Sequence, residues 1–320
     1  MSSVAEVLAF PEAKSRSTFA AEVVAGLAAD PKHLPAKYFY DRAGSELFDR
    51  ITRLPEYYPT RTELALLKQH RDEIAQLLPA EGALIEFGSG STTKAAILLA
   101  AAPHLSAYVP VDISAEHLAQ EASRLRREFP SLRVLPVDAD FCRPFGLPAE
   151  VATLPHAGFF PGSTIGNFEP HEASAFLSNA LAILGEGAVF IVGVDLVKDR
   201  AVLHAAYNDA AGVTAAFNRN VLVRINRELG ANFDLKTFEH HAFFNRERSR
   251  IEMHLASTKR QKVKVDGEII EFRAGETIHT ENSYKYSIES FSALARGSGW
   301  KVRRHWTDAA NWFAVFALAA

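Results

Sequence analysis

Ala83-Leu84-Ile85-Glu86-Phe87-Gly88-Ser89-Gly90-Ser91-Thr92-Thr93 is an apolar run of strand length that empties into a glycine- and serine-rich turn. A helix over residues 93–101 is expected to follow, so the stretch opens as strand, tight turn, helix. The rhythm then repeats. Residues 108–111 form a second strand closed by Asp112, with a helix over 115–129, and residues 132–137 form a third strand closed by Asp138. Residues 157–160 form a fourth strand that runs into Pro161-Gly162-Ser163-Thr164-Ile165-Gly166-Asn167, followed by a helix over 171–184 and a fifth strand over 188–194. Strands alternating with helices of this size imply an α/β fold with a parallel, Rossmann-like sheet covered on both faces.

Outside this core the pattern changes. Upstream, residues 18–29 read as a short amphipathic helix ended by Pro31, His33 and Pro35, and helical stretches follow at 45–53 and 62–78. Between them lies the aromatic loop Pro55-Glu56-Tyr57-Tyr58-Pro59-Thr60. Downstream of Lys198, residues 201–226 look helical, and β runs follow at 240–244, 250–256, 261–265, 269–272 and 277–286. Asp266-Gly267 is a hairpin turn signal. A helix over 287–298 and an antiparallel pair at 300–306 and 312–318 close the chain. The expected organisation is an N-terminal helical segment (1–60) contributing to a substrate pocket, a nucleotide-binding domain (61–198 and 287–320), and an inserted α+β recognition domain (199–286).

Bulk composition narrows the function classes. The chain has 320 residues, 48% hydrophobic and 23% charged, a globular balance. A formal net charge of -3 lacks the basic footprint of a nucleic-acid or acidic-lipid binder. The single cysteine, Cys142, excludes an intrachain disulfide and fits a reducing compartment. Residues 1–10 make a poor signal peptide, and no apolar stretch reaches membrane-spanning length. A cytoplasmic monomer is expected.

In a doubly wound sheet, ligands bind beyond the carboxyl ends of the strands. Gly88 and Gly90 let backbone approach a ligand closely. Asp112 is placed to accept hydrogen bonds from ribose hydroxyls, and Asp138 or Asp140, with Phe141, to meet an adenine ring. The turn lacks the third glycine of the G-x-G-x-x-G fingerprint, which counts against a nicotinamide dinucleotide. Glu86 ahead of it is similar to the acidic residue that methyltransferases commonly carry at this place, which implies S-adenosylmethionine. Lys94, in the first turn of the next helix, is a candidate for the carboxylate of that cofactor's methionine moiety, with a solvated surface lysine as the competing reading.

Several long motifs stand apart from the cofactor turns. They are Leu54-Pro55-Glu56-Tyr57-Tyr58-Pro59-Thr60-Arg61, Gly162-Ser163-Thr164-Ile165-Gly166-Asn167, Gly193-Val194-Asp195-Leu196-Val197-Lys198, Phe217-Asn218-Arg219-Asn220-Val221-Leu222 and Thr280-Glu281-Asn282-Ser283-Tyr284-Lys285-Tyr286. Together, over about residues 34–306, they closely resemble the histidine-specific Nα-methyltransferases of ergothioneine biosynthesis. The resemblance implies a class I methyltransferase sheet with an inserted substrate-recognition domain, S-adenosyl-L-methionine as cofactor, and three transfers from it to L-histidine, giving hercynine. It implies that Asn167 and Tyr207 bind the substrate carboxylate, that Tyr57 lies in the histidine pocket, and that Glu281 and Ser283 recognise the imidazole. Gly162 would lie near the reacting amine and Tyr40 would line the pocket, with Tyr40 or an ordered water as candidate proton acceptor. Cofactor contacts carry over to Gly88, Lys94, Asp112, Asp140 and Phe141.

Plainer readings compete for the same residues. Tyr57 and Tyr58 suit a core with satisfied hydroxyls, Asn167 suits a cap for the helix near Pro170, and Glu281 suits a solvated strand edge. Met253 reads as core that borders the substrate ring. His240 and His241 are adjacent on a strand and so oppose one another, while His254 and His279 look isolated, so no metal is expected. Rival functions are N-methylation of another amino acid such as a tryptophan derivative, a nicotinamide-dependent oxidoreductase, and a non-catalytic cofactor-binding module.

Overall fold

The computed structural model describes residues 12–320, and the signal-peptide reading of residues 1–10 lies outside them. Its strands, in chain order, are β1 (Ala83–Phe87), β2 (Ala107–Asp112), β3 (Arg133–Val134), β4 (Val137–Asp138), β5 (His156–Phe160), β6 (Val189–Asp195), β7 (Phe238–Asn245), β8 (Arg250–Ser257), β9 (Gln261–Val265), β10 (Glu268–Phe272), β11 (Thr277–Tyr284), β12 (Lys301–Thr307) and β13 (Phe313–Ala319). The helices are α1 (Glu12–Ala28), α2 (Arg42–Ile51), α3 (Tyr58–Ala75), α4 (Thr93–Ala101), α5 (Ala115–Glu128), α6 (Pro170–Leu184), α7 (Arg200–Tyr207), α8 (Val213–Leu229) and α9 (Ile288–Gly297). Among the described residues, no helix is long and apolar enough to cross a membrane.

By its contacts the chain divides into two compact units. The first is Met1–Gly44, Ala215–His241 and Met253–Glu281; the second is Ser45–Thr214, Ala242–Glu252 and Asn282–Ala320.

The second unit holds an eight-stranded sheet of order β12-β13-β6-β5-β1-β2-β3, with β4 also paired to β2. β1 runs parallel to both β2 and β5, and β5 parallel to β6. β13 closes the sheet antiparallel to β6, and β12 antiparallel to β13. The chain steps outward from β1 through β2 to β3, then returns to the other side of β1 as β5. That reversal is a topological switch point, where the strand ends leave a crevice for a ligand. The turn after β1 and the turn after β5 flank it.

Period-two alternation builds both faces of this sheet. Ile85, Phe87, Val109, Val111, Phe190 and Val192 pack into one core, while Leu84, Tyr108, Val189 and Ile191 pack into the other. Every residue of β1 and β6 is buried, as expected of parallel strands covered on both faces. Trp300 lies fully buried in the first core, its indole N–H donating to the Leu177 carbonyl at 2.8 Å.

Two expected elements are divided in the structure. The third strand is split into β3 and β4 around Leu135-Pro136, because proline has no N–H for the ladder. The helix expected over 201–226 is broken into α7 and α8. There the Asp209 carboxylate accepts the Val213 and Thr214 N–H groups at 2.8 Å each, and Gly212 takes φ +68°.

In the first unit, β9 and β10 form a hairpin with Val265 opposite Glu268. Asp266 and Gly267 make its two-residue turn at φ 46° and 91°, the conformation that a hairpin of this length requires.

Candidate active site

β1 carries Glu86 to the carboxyl edge of the sheet. Gly88, at φ +74°, then turns the chain so that its N–H and that of Ser89 both donate to the Val111 carbonyl at 2.8 and 3.1 Å. A Cβ at Gly88 would stand 3.2 Å from the Phe141 ring, so that ring lies directly over the turn. At Gly90 the same atom would meet nothing within 4 Å.

Glu86 is only 1% exposed. One of its oxygens accepts the Tyr108 hydroxyl, whereas Oε1 has no partner, and neither does the buried Ser89 hydroxyl oxygen. Burial pushes the Glu86 carboxyl up to about 8, against the opposing hydrogen bond from Tyr108 and the charge of Lys94. Unsatisfied buried groups are costly, so these atoms fit a ligand that brings donors. An ammonium group at Glu86 would supply them.

Asp112 ends β2, half-buried, and accepts the Ser114 N–H at 2.9 Å. Beside it the apolar side chain of Ile113 is 42% exposed, a surface suited to one face of an adenine. Asp140 accepts the Cys142 N–H at 3.0 Å, and Arg143 lies 3.8 Å from its other oxygen. Asp138 is exposed. Glu86, Asp112 and Asp140 thus offer acceptors, and the Gly88 turn and Phe141 a close backbone and a ring face, that fit the amino group, ribose hydroxyls and adenine of S-adenosylmethionine.

Lys94 is not a solvated surface lysine. Its ammonium is 2.5 Å from the carboxylate of Glu63, whose side chain is 1% exposed. Both Glu63 oxygens also accept the Gly162 N–H at 2.9 Å. A Cβ on Gly193, in the middle of β6, would come 2.1 Å from Glu63 Oε1, so the strand must carry glycine for this carboxylate to fit. Gly162 itself takes φ +81°. Glu63 therefore ties the cofactor-side helix α4 to the turn after β5, and sequence reasoning missed it.

That turn is fastened to β6 as well. Ser163 Oγ accepts the Asp195 N–H at 2.8 Å. Asn167 closes the short 3-10 helix Thr164–Asn167 and is half-buried. It is not the cap of α6: Glu169 takes that position and forms a capping box with Glu172. Glu169 also accepts from Arg250, the Tyr284 hydroxyl and Asn282.

Behind the turn lies a buried charge cluster. Asp195, at 1% exposure, accepts the Tyr58 hydroxyl and pairs with Lys198 and Lys285, each at most 2% exposed at the side chain. Burial alone would raise the Asp195 carboxyl, but the two ammonium groups outweigh it and hold the group below its ordinary value. Burial lowers the Lys198 amine to about 8 despite Asp195. Tyr58 is thus a core residue with a satisfied hydroxyl. Tyr57, 9% exposed, stands edge-on to Tyr207, ring centroids 6.4 Å apart. Tyr207 in turn donates to Ser283 Oγ at 2.7 Å.

Three expected site residues belong to the first unit. The Tyr40 ring packs edge-on to Phe217 at 5.7 Å. The neighbouring Asp41 is held by Asn220, Gly44 and Arg227. Met253 is 1% exposed, and its carbonyl accepts the Thr280 hydroxyl at 3.0 Å, which sets β8 beside the half-buried Glu281 of β11. Buried Asn218 joins the same group, accepting from Thr280 and donating to the His254 carbonyl. His254 and His279 are not isolated: their rings stack at 4.6 Å.

Over nearly its whole length the chain is similar to known proteins. Over 305 residues the chain is 44% identical to a histidine N-alpha-methyltransferase of Mycolicibacterium smegmatis, covering 92% of each chain. Over 308 residues it is 42% identical to the Mycobacterium tuberculosis protein of that name, covering 93% of this chain and 94% of the other. It is 31% identical over 289 residues to ergothioneine biosynthesis protein 1 of Neurospora crassa, covering 87% of this chain and 32% of that larger protein. A family model described as histidine-specific and SAM-dependent matches residues 19–320. The chain belongs to the histidine-specific, S-adenosylmethionine-dependent methyltransferases.

Proposed function

We propose that this protein transfers methyl groups from S-adenosylmethionine to the α-amino nitrogen of free L-histidine, three times in succession, to give hercynine for ergothioneine biosynthesis. The near full-length likeness to two proteins named histidine N-alpha-methyltransferase carries this reading. Glu86, Asp112, Asp140 and Phe141 would hold the cofactor, which when bound supplies an activated methyl at its sulfonium. The remaining work is to take the proton from the amine, with Tyr40 or a water as acceptor, and to align its lone pair with that methyl, the cofactor's sulfur departing as a neutral thioether. For this displacement orientation alone can account for much of the rate.

In this proposal Asn167 orients the substrate carboxylate, Tyr207 gives its one proton to Ser283 and so orients that hydroxyl, and Tyr57, Met253, Glu281 and Ser283 are the residues assigned to the ring. Gly162 and Tyr40 are the residues assigned to the amine. The Glu86, Gly88, Gly90 and Lys94 group completes the cofactor side. Residues 199–286, with residues 1–60, supply substrate recognition. A carboxylate such as Glu281 facing an imidazole N–H gives a charge-assisted hydrogen bond that an apolar side chain would forfeit. The aromatic face of Tyr40 would favour the cationic product head group as methyls accumulate. The protein is proposed to act as a cytoplasmic monomer on this small molecule, without nucleic acid or membrane.

The test is methyl acceptance across a panel of free amino acids, read by mass spectrometry. Mono-, di- and trimethylated histidine are the expected products. Methylation of tryptophan or another amino acid in place of histidine would overturn the substrate assignment. Glu281→Ala is expected to raise the KM for histidine; unchanged kinetics would remove Glu281 from the ring site.

A further inference from the structure

Lys285 follows directly on β11, and its side chain is 0% exposed. An ammonium group has three hydrogens and no lone pair. All three are committed here: to Asp195 Oδ2 at 2.8 Å, Ser283 Oγ at 2.5 Å and the Tyr207 hydroxyl oxygen at 3.2 Å. Lys285 is therefore sealed from any ligand, yet it touches two residues assigned to the substrate.

The consequence falls on Ser283. A hydroxyl has one proton and two acceptor lone pairs. Ser283 Oγ receives one hydrogen bond from Lys285 and a second from Tyr207 at 2.7 Å, which uses both lone pairs. Its own proton is the valence that remains, and no acceptor for it exists among the described residues. Donation from a cation also polarises the O–H and strengthens it as a donor.

We propose that Lys285 is a positioning residue that commits the Ser283 hydroxyl to donate a hydrogen bond to a lone-pair acceptor on the amino-acid substrate. The assignment rests on the proposed histidine substrate. An N–H brought to the same place would meet a proton and be rejected. On histidine the acceptor is either the unprotonated ring nitrogen or a carboxylate oxygen. Asp195 keeps Tyr58 and Lys198 when Lys285 is removed, so the carboxylate is not stranded by the substitution.

The test uses the full-length protein, with Lys285→Met and Lys285→Gln as neutral variants, Ser283→Ala, and the Lys285→Met/Ser283→Ala double variant. Thermal melting confirms that each is folded. Loss of the charge-assisted bond is expected to raise the KM for L-histidine about 10- to 100-fold while the KM for S-adenosylmethionine stays unchanged. The double variant should be no worse than Ser283→Ala alone, because Lys285 acts through that hydroxyl. Lys285→Arg, which keeps a cationic donor, should recover part of the loss.

Histamine, which keeps the ring and lacks the carboxylate, locates the acceptor when used as an inhibitor. Weaker inhibition of Lys285→Met places the acceptor on the ring; unchanged inhibition with a raised histidine KM places it on the carboxylate. An unchanged histidine KM in both neutral variants, additive losses in the double variant, or equal rises in both KM values would overturn the assignment. Wild-type protein that binds cofactor but methylates no histidine would overturn the substrate reading and this inference with it. Wild-type turnover with insensitive Lys285 variants overturns this inference alone.

Discussion

Glu63 and Gly193 are one device made from two distant residues. The carboxylate occupies space that any side chain at Gly193 would fill, and it bonds the Gly162 N–H and Lys94 from there. Gly193→Ala should therefore push a buried, paired carboxylate out of place and destabilise the protein by about 3 kcal/mol, a size typical of broken buried pairs. Urea denaturation checks this. In a Glu63→Ala background the same Gly193→Ala change should cost much less, and equal costs in both backgrounds would separate the two residues. Glu63 was legible in principle. It precedes Leu66 and Leu67 by three and four positions, which puts a carboxylate on the apolar stripe of α3. Gly193 inside an otherwise apolar strand was the matching signal of a close approach. Lys285 carried a similar signal, since period two sets it on the face of Glu281 and Ser283.

Most elements were visible in the sequence because their periodicity and breakers agree. β1, α4, β9 and the Asp266-Gly267 turn fall where apolar alternation, helical spacing and hairpin chemistry place them. Less legible were breaks caused by tertiary hydrogen bonds, such as the Asp209 carboxylate that starts α8, and the identity of caps. Glu169 shows why a cap can be missed: it is a long acid in a position where a shorter residue is the usual choice. It also accepts from Arg250, Tyr284 and Asn282, so it joins the start of α6 to the segment around β8 and β11 within one unit. Glu169→Ala should cost more than the roughly 1 kcal/mol of an ordinary cap, because the Arg250 side chain, 5% exposed, loses a partner. Burial opposes ionisation of Glu169, but the bonds from Tyr284 and Arg250 outweigh it and hold the carboxyl below its ordinary value. Its stabilisation is thus present above the unfolded value near 4.5 and is lost as pH falls through the lower folded value. The difference in melting temperature between wild type and Glu169→Ala should be full at pH 7 and narrow below pH ~4. A gap that stays constant with pH would assign the loss to packing.

At the scale of the whole molecule, Glu86 sets a dependence of stability on pH, and in the proposed function on cofactor as well. Burial raises its carboxyl to about 8 from an ordinary 4.5, so the folded chain holds a proton that the unfolded chain releases. The sign follows directly: this contribution is complete below 4.5 and is lost as pH rises toward about 8. Above that value the ligand-free protein carries an ionised carboxylate whose Oε1 has no partner. Glu86→Gln removes the charge while keeping most of the shape. Without cofactor it should melt higher than wild type at pH 8, by roughly 2–4 °C for each kcal/mol relieved, and the advantage should shrink toward pH 5. With S-adenosylmethionine present the order should reverse. The cofactor's ammonium would satisfy the ionised wild-type carboxylate, and binding to the folded state stabilises it by mass action. Differential scanning fluorimetry of both proteins across pH, with and without cofactor, measures all four limbs. If Glu86→Gln bound the cofactor as tightly as wild type, the unpaired oxygen would not be part of its site. The strain of a lone buried carboxylate would then need another explanation.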